Sequence, residues 1–515
     1  MSTITQLICN KFAGIRKNNA IFSEDAISAQ DIQNVELYYT GTNGGVGIRT
    51  MKGNISVNDS LEGSEKIINL FESTQENTKH FFVYTETASQ GKFYLYNQNY
   101  NTLTLKKSGL TVTGKCQGFD IQQGWADLFF FTNGKEMFTI ELGKTNESGE
   151  LAEIKDMILY DRDNRQVIGL GAALFANRLW IFNNNILWYS MQSDIYDFHT
   201  SDAEWETSAG YIETIKRITA LHTYLGSLAV FYEDSSELIS IKEGMLSRSD
   251  ESPGGCAGVN SLVFHDTDLY FYDHTKKAVF SFKQVVNGEK VLGQNVAIEI
   301  QEELLNIDIN KADNIQALSV FLSERNEIWW ILPTSDQEYS TILIYDYLKG
   351  EWVKRKSQKI NAVRVINNVL YSAGNDGNIL EEYNSNTFNG KYIEQYYNCS
   401  PMNLGAMNTL KVLVFPPRAS FDLPYSNNFY VKYIKNYNTF KKPKIKYIKS
   451  KVKNFLVWGV GLWGVNFWAS KATNTVGKFP NATFKILEIS IYTTKATENF
   501  AIKNLEFSKI KVKQV

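Results

Sequence analysis

The sequence predicts an all-β chain: an irregular β-propeller of six to eight blades followed by a C-terminal β-sandwich-like domain. Three observations carry this. Seven segments between residues 80 and 385 repeat a short aromatic-rich apolar run, a polar turn and a second short run. Aromatics are plentiful, with 31 Phe, 28 Tyr and 10 Trp against only 8 Pro, a balance that suits pleated, half-buried surfaces. Helical periodicity is rare.

In chain order, residues 1–75 are expected to form an irregular segment with the first strands, 76–385 the propeller, and 386–515 a basic β domain. Ile27 to Val35 reads as a short helix. The run Gly41-Thr42-Asn43-Gly44-Gly45-Val46-Gly47 allows positive φ at several positions. It lacks the Lys-Ser/Thr of a phosphate-binding loop, so it reads as a plain loop. Ser64 to Phe71 and Ile298 to Ile307 are the best helical candidates, the latter an amphipathic connector with Glu299, Glu302 and Glu303 outside.

The seven repeated runs are His80–Tyr84, Asp127–Phe131, Arg178–Phe182, Ser227–Phe231, Asp268–Tyr272, Glu327–Ile331 and Asn368–Ser372. Their spacing of roughly 40–60 residues is close to the period of propeller blades. One such unit cannot bury its apolar face alone, but several packed radially can. Turn signals punctuate the runs at Asn133-Gly134, Asn183-Asn184-Asn185, Gly350 and Asp376-Gly377. Farther on, Lys411 to Phe415, Phe429 to Ile434, Ile445 to Ile448, Phe484 to Tyr492 and Ile502 to Val512 read as strands. In Val431-Lys432-Tyr433 and Ile445-Lys446-Tyr447 an apolar and an aromatic residue flank a Lys, which predicts a half-buried sheet with Lys on its wet side.

A net charge of −2 hides an asymmetry. Beyond residue 400 stand 19 Lys plus Arg against 4 Asp plus Glu, net +15, whereas the first 400 residues hold 34 against 51, net −17. That contrast points to charged partners. Met1 to Phe22 shows no apolar stretch behind a basic start, so no signal peptide is expected, and synthesis in the cytoplasm follows. Cys9, Cys116, Cys256 and Cys399 are far apart and form no CxxC pair, which argues against a disulfide framework or zinc site.

No catalytic residues, metal ligands or cofactor are expected. Glu233-Asp234 and Asp250-Glu251 read as turn charges, and Asp308, Asn310 and Asp313 miss the EF-hand spacing. The candidate functional residues belong instead to interfaces. Trp458, Trp463 and Trp468 recur at fixed spacing within Phe455 to Trp468, a run too short to span a membrane as a helix. They are expected to pack against the C-terminal sheet or a neighbouring subunit, with membrane contact as the other reading. Lys441, Lys442, Lys444 and Lys446 head a dense basic stretch expected to meet solvent or an acidic partner.

Three stretches, taken in order, resemble the tail-nozzle or tail-stabilisation proteins of short-tailed bacteriophages. They are Asn177–Phe182 with Leu187–Ser190 and Asp194–Phe198; Ile218–Leu221 with Leu228–Phe231 and Ser236–Ile239; and Gly254-Gly255-Cys256 with Asn260–Val263 and Asp268–Tyr272. Phe484 to Val512 gives a weaker echo. The resemblance implies successive propeller blades and a homo-oligomeric, hexameric ring in the virion tail. It further implies neighbouring tail proteins (adaptor, fibres or spikes), and phage DNA passing through a channel without sequence-specific binding during ejection. It brings no catalytic residues and no cofactor. The alternative class is an extracellular glycan-binding or glycosidase propeller, which predicts carboxylates and aromatics clustered on one face. An intracellular scaffold of regular repeats is the third.

Overall fold

The structure, a computed structural model, describes residues 3–513 apart from 10, 17–26, 41–43, 59–60, 62–64, 76, 124–125, 143–151, 202–207, 243–244, 266, 285–289, 293–294, 306, 308–317, 337, 403–409, 423–426, 437–441, 450–475 and 481. The chain divides into two compact units: Ile55–Ile342 with Ser357–Glu382, and Met1–Asn54 with Leu343–Lys356 and Tyr383–Val515.

The first unit is a seven-bladed propeller. Its sheets follow one another along the chain, six with four strands and the fourth with five, and all but the last strand of the seventh come in sequential order. The innermost strands are Lys66–Gln75, Gln117–Gln123, Gly171–Phe175, Ile218–Tyr224, Leu262–His265, Leu318–Leu322 and Ala362–Ile366. Each neighbours the next except between the fourth and fifth, whose blades meet through the turn Val259–Ser261 and a shared core, and the seventh returns to the first, so the ring is closed. The outermost strand of the seventh blade, Gly53–Ser56, comes from ahead of the first blade in the chain. Just after it, Val57 N donates to Ile379 O at 2.9 Å and Ile379 N to Asn58 Oδ1 at 2.6 Å. The Asn58 amide also donates to Gly377 O at 3.1 Å. Two ends of the ring are thereby tied by hydrogen bonds rather than by chain continuity.

All seven aromatic runs fall on the second strand of a blade: Thr78–Glu86, Ala126–Thr132, Arg178–Asn183, Ser227–Tyr232, Asp268–Asp273, Glu327–Ile331 and Val369–Ala373. The reason is packing on both faces. Side chains of a strand alternate between faces, and each blade has a neighbour on either side. Phe129 and Phe131 pack with Phe71, Phe82, Tyr84 and Phe93 of blade 1, while Phe130 packs with Leu179 and Ile181 of blade 3. Trp180 and Phe182 turn to Leu228 and Val230 of blade 4, whose Ala229 and Phe231 turn to Leu269 and Phe271 of blade 5. Phe81 and Val83 meet Tyr371 and Ala373 of blade 7. A strand buried twice over reads as an unbroken apolar run instead of an alternating one.

Two helical expectations are corrected. Ser64 to Phe71 lies mostly in the strand Lys66–Gln75, and Ile27 to Val35 mostly in Ile27–Gln33. Both show alternating burial with one irregular step, since each strand carries a bulge, between Ile67 and Asn69 and between Ala29 and Asp31. The extra residue turns a period of two into something that resembles a helical period. Of the expected helix Ile298 to Ile307, Ile298 to Leu305 is helical, with a 3₁₀ turn Ile298–Ile300 leading into the α-helix Gln301–Leu305.

The second unit holds two sheets, in addition to parts of Tyr339–Asp346 and Glu351–Gln358, the outer strands of the sixth sheet. One runs in the order Phe12–Ile15, Ile27–Gln33, Tyr396–Cys399, Leu487–Tyr492, Asn428–Lys435, Lys444–Lys449. The other includes Val35–Tyr39, Val46–Thr50, Ala501–Lys513, Leu410–Leu413 and Arg418–Phe421. They face each other through Phe429, whose ring lies 5.6 Å from Phe421 and 5.5 Å from Phe500. The C-terminal strands are thus half of a sandwich whose remainder comes from residues 3–50. That N-terminal region is strand rather than irregular, because its short apolar runs find partners more than 340 residues away, such as Tyr397 opposite Ile32.

Candidate functional site

The seven innermost strands line a central channel, and each end of it is a cavity. The larger, about 330 Å³, is lined from every blade, with Asn69, Gln117, Phe119, Leu174, His222, Ser319 and Arg364 among its walls. The smaller, about 100 Å³, is lined by Lys115, Arg217, Glu233, His274 and Asn361 among others. Val259, Asn260 and Leu318 border both.

Between the two ends sits the 3₁₀ turn Val259–Ser261. It belongs to blade 5 but bonds across the ring. Asn260 Nδ2 donates to Cys116 O of blade 2 at 3.3 Å, and Ser319 Oγ of blade 6 donates to Asn260 O at 3.2 Å. On blade 3 a Cβ on Gly171 would come within 2.6 Å of Val259 Cγ1, so only glycine admits the turn there. The turn is pinned at its base. Ser261 Oγ donates to Gly258 O at 2.8 Å, and the Cys256 thiol lies 3.1 Å from Ser261 Oγ. Burial pushes that thiol up to about 12, so it remains protonated and packs as a small apolar group. Gly255 is needed because a Cβ there would sit 2.0 Å from Glu233 O. Gly254-Gly255-Cys256 and Asn260-Ser261 thus shape and hold the turn at the propeller axis, while Leu262–His265 and Asp268–Asp273 are strands of blade 5.

Arg364 of the larger cavity feels two carboxylates that lie outside the cavity lining, Glu72 and Asp120. Asp120 Oδ2 accepts Thr74 N at 2.7 Å; burial raises this carboxyl, while hydrogen bonds from Ser73 and Thr74 and the charge of Arg364 pull it back. Burial lowers the basicity of the Arg364 guanidinium, against the opposing pull of Glu72 and Asp120. His222 is held below the usual imidazole range by burial, its Nδ1 2.6 Å from Thr223 O. Arg364 of the wall is thus set against carboxylates that lie outside the cavity lining, and the His222 imidazole is neutral at pH 7.

The carboxylate pairs of the sequence are structural. Asp234 and Glu251 both bind Lys216 Nζ, at 3.0 and 2.8 Å, and both are lowered by the hydrogen bond from that ammonium. All four cysteines are free and buried. Among the described residues no group of His, Cys, Asp and Glu is arranged to hold a metal ion.

Of the expected interface residues, Lys442, Lys444 and Lys446 are exposed; the latter two lie on Lys444–Lys449, the last strand of the six-stranded sheet. Among the described residues this strand pairs on one side only, with Asn428–Lys435. Lysines on such an edge discourage unspecific strand pairing. The expected wet-side lysine holds at Lys432, which stands between buried Val431 and Tyr433. At the edge it fails: Ile445 and Tyr447 are themselves 52% and 40% exposed, and among the described residues no further strand pairs with theirs. Trp458, Trp463, Trp468 and Lys441 lie outside the described residues, as do Asp308, Asn310 and Asp313.

The two units divide the charge more sharply than the sequence halves do. The propeller unit holds 24 Lys and Arg against 44 Asp and Glu, net −20, and the second unit 29 against 11, net +18.

No known family pattern and no curated protein matches the chain. Solved structures that match include two proteins provisionally named 6-phosphogluconolactonase. That from Bacteroides fragilis is 12% identical with a TM-score of 0.36, covering 62% of this chain and 92% of its own. That from Bacteroides uniformis is 14% identical with a TM-score of 0.37, covering 62% and 93%. The closed ring of seven sheets, not this likeness, defines the fold.

Proposed function

We propose that the chain is a structural subunit of a homo-oligomeric ring in the tail of a short-tailed bacteriophage, a nozzle or stabilisation ring that retains and conducts the DNA genome. The observation that supports the reading best is the charge division: net −20 in one folded unit and net +18 in the other, on one chain. Opposite charge on separate surfaces steers head-to-tail encounters between copies and suppresses like-to-like ones. A head-to-tail contact closes into a ring when its rotation divides a full turn. The acidic propellers then suit the tunnel wall, since carboxylates repel phosphates whereas a lysine wall binds them and slows passage.

The plugged propeller axis fits this reading in one respect. With Val259–Ser261 across it, the axis of a single chain offers no passage, so the conduit of this proposal is the space enclosed by several chains. The reading gives the chain no catalytic role.

Particle mass across a salt series tests it. Closed rings are expected at low ionic strength, with dissociation as salt rises toward about 0.5 M and the Debye length shortens. The triple change Lys442→Glu, Lys444→Glu, Lys446→Glu is expected to weaken assembly about tenfold or more. Assembly indifferent to both salt and charge reversal refutes the electrostatic contact, and a monomer under every condition refutes the ring.

A further inference from the structure

The outer face of the six-stranded sheet in the second unit carries an ordered arrangement that the ring proposal does not use. Register places one tyrosine on each of four adjacent strands, side by side: Tyr396 opposite Tyr492, Tyr492 opposite Tyr430, Tyr430 opposite Tyr447. The Tyr430 ring stacks 5.5 Å from Tyr492 and lies 4.8 Å from Tyr447. Beside this ridge runs a second row in register, Asp31, Asn398, Ser490, Lys432 and Ile445, across five strands. Ser490 and Asn398 are short, so the row is a valley. Glu488 and Ile434, opposite each other on the far side, form its other bank. The result is an open trough of about 670 Å³ crossing the strands, with Gln30 and Glu394 at one end and Pro443 and Ile445 at the other. Five strands span roughly 19 Å at the usual interstrand spacing.

We infer that this trough binds an extended neutral oligosaccharide, with Tyr396 and Tyr492 of the tyrosine ridge as its aromatic wall and the Asp31–Asn398–Ser490–Lys432 row as its hydrogen-bonding floor. A sugar hydroxyl both donates and accepts, and the trough interleaves acceptors (Asp31, Glu394, Glu488) with a donor (Lys432) and groups that do both (Gln30, Asn398, Ser490). Part of this set is already fixed in place: Tyr396 Oη donates to Asp31 Oδ2 at 2.7 Å and Lys354 Nζ to Asp31 Oδ1 at 2.6 Å. Such pre-orientation lowers the cost of binding.

Other ligand classes fit less well. Three carboxylates line the trough against one lysine, Lys432, which disfavours nucleic-acid phosphates and acidic sugars there although the unit as a whole is basic. The floor offers side chains and runs across the strands, so a peptide lying along it has no strand to extend. The floor is too polar for a lipid tail. The volume lies within the range of small-molecule sites. This inference does not rest on ring assembly.

The test uses the full chain against an array of neutral, amino-bearing and sialylated glycans. Titration with chitohexaose, cellohexaose and maltohexaose follows. Saturable binding of at least one neutral oligosaccharide is expected, with sialylated glycans bound at least about tenfold more weakly. Ser490→Phe, which fills the valley from the outer face, is expected to abolish binding, and Asn398→Ala to weaken it about tenfold. Melting temperature and particle mass are measured on the same samples, and if Ser490→Phe does not fold, Asn398→Ala alone decides. No neutral glycan bound, equal binding of sialylated glycans, or binding untouched by a folded floor variant would overturn the inference.

Discussion

Closure of the propeller makes a sharp prediction at Asn58. Its side chain accepts Ile379 N and donates to Gly377 O, at 2.6 and 3.1 Å, and is only 9% exposed. Asn58→Ala removes both bonds and strands a backbone N–H and a backbone carbonyl away from water. Taking about 1–2 kcal/mol for each orphaned group, the low part of the usual range, the ring closure should weaken by about 2–4 kcal/mol in total. The bond from Val57 N to Ile379 O remains, so the blade should loosen rather than vanish. Global unfolding of a two-unit chain is a poor readout, because it need not be two-state. Native-state hydrogen exchange reads the blade directly. The amides of Ile379–Ser385 should exchange about 30- to 1000-fold faster, taking 1.4 kcal/mol as a factor of ten, while those of Arg178–Asn183 in blade 3 stay unchanged. Unaltered exchange in blade 7 would show that Asn58 does not close the ring. Equal acceleration in every blade would show that closure is not a local event.

Further predictions follow from the core and its buried charges. Phe131 is fully buried, with rings of Tyr84, Phe93 and Phe138 at 5.0, 5.1 and 4.7 Å; Phe131→Ala should cost about 3–5 kcal/mol, seen as a lower melting temperature of the propeller transition. Asp161 is buried, and burial would raise its carboxyl, but bonds from the Arg165 amide at 2.9 Å, Trp188 Nε1 at 3.1 Å and Arg165 Nε at 2.8 Å outweigh it and leave it below the usual 3.8. Because the folded value is depressed, this stabilisation is fully present above the unfolded value and is lost as pH falls from about 4 through the folded value. Asp161→Asn should flatten the acid limb of stability against pH below about 4, and an unchanged limb would contradict the assignment. Cys256 should stay unmodified by thiol reagents in the native protein at pH 8 and become reactive on denaturation, as mass spectrometry would record.

The seven blades were legible in the sequence because their second strands are buried on both faces and so carry unbroken aromatic runs. Their innermost strands were not. Gly171-Ala172-Ala173 and Ala220 are small where blades converge on the axis, and Lys66–Gln75 is broken by a bulge, so neither apolarity nor period two stands out. The plug was visible only as Gly254-Gly255-Cys256 and Asn260-Ser261, residues whose meaning depends on contacts with blades 2, 3 and 6. The trough was hidden for a different reason. Each row draws one residue from each of several strands spread between Asp31 and Tyr492, and no local pattern marks a row that exists only through register. The acidic and basic divisions were legible as sequence halves, yet N-terminal strands that pair with the C-terminal sheet moved the border between them.

The central proposal is an assembly with carboxylates around its tunnel, and electron cryo-microscopy of the purified protein at low ionic strength addresses it directly. The account predicts a closed ring of identical chains with acidic propeller surface facing the lumen and Lys442, Lys444 and Lys446 at contacts outside it. A monomer, an open filament, or a lumen lined by those lysines would contradict it.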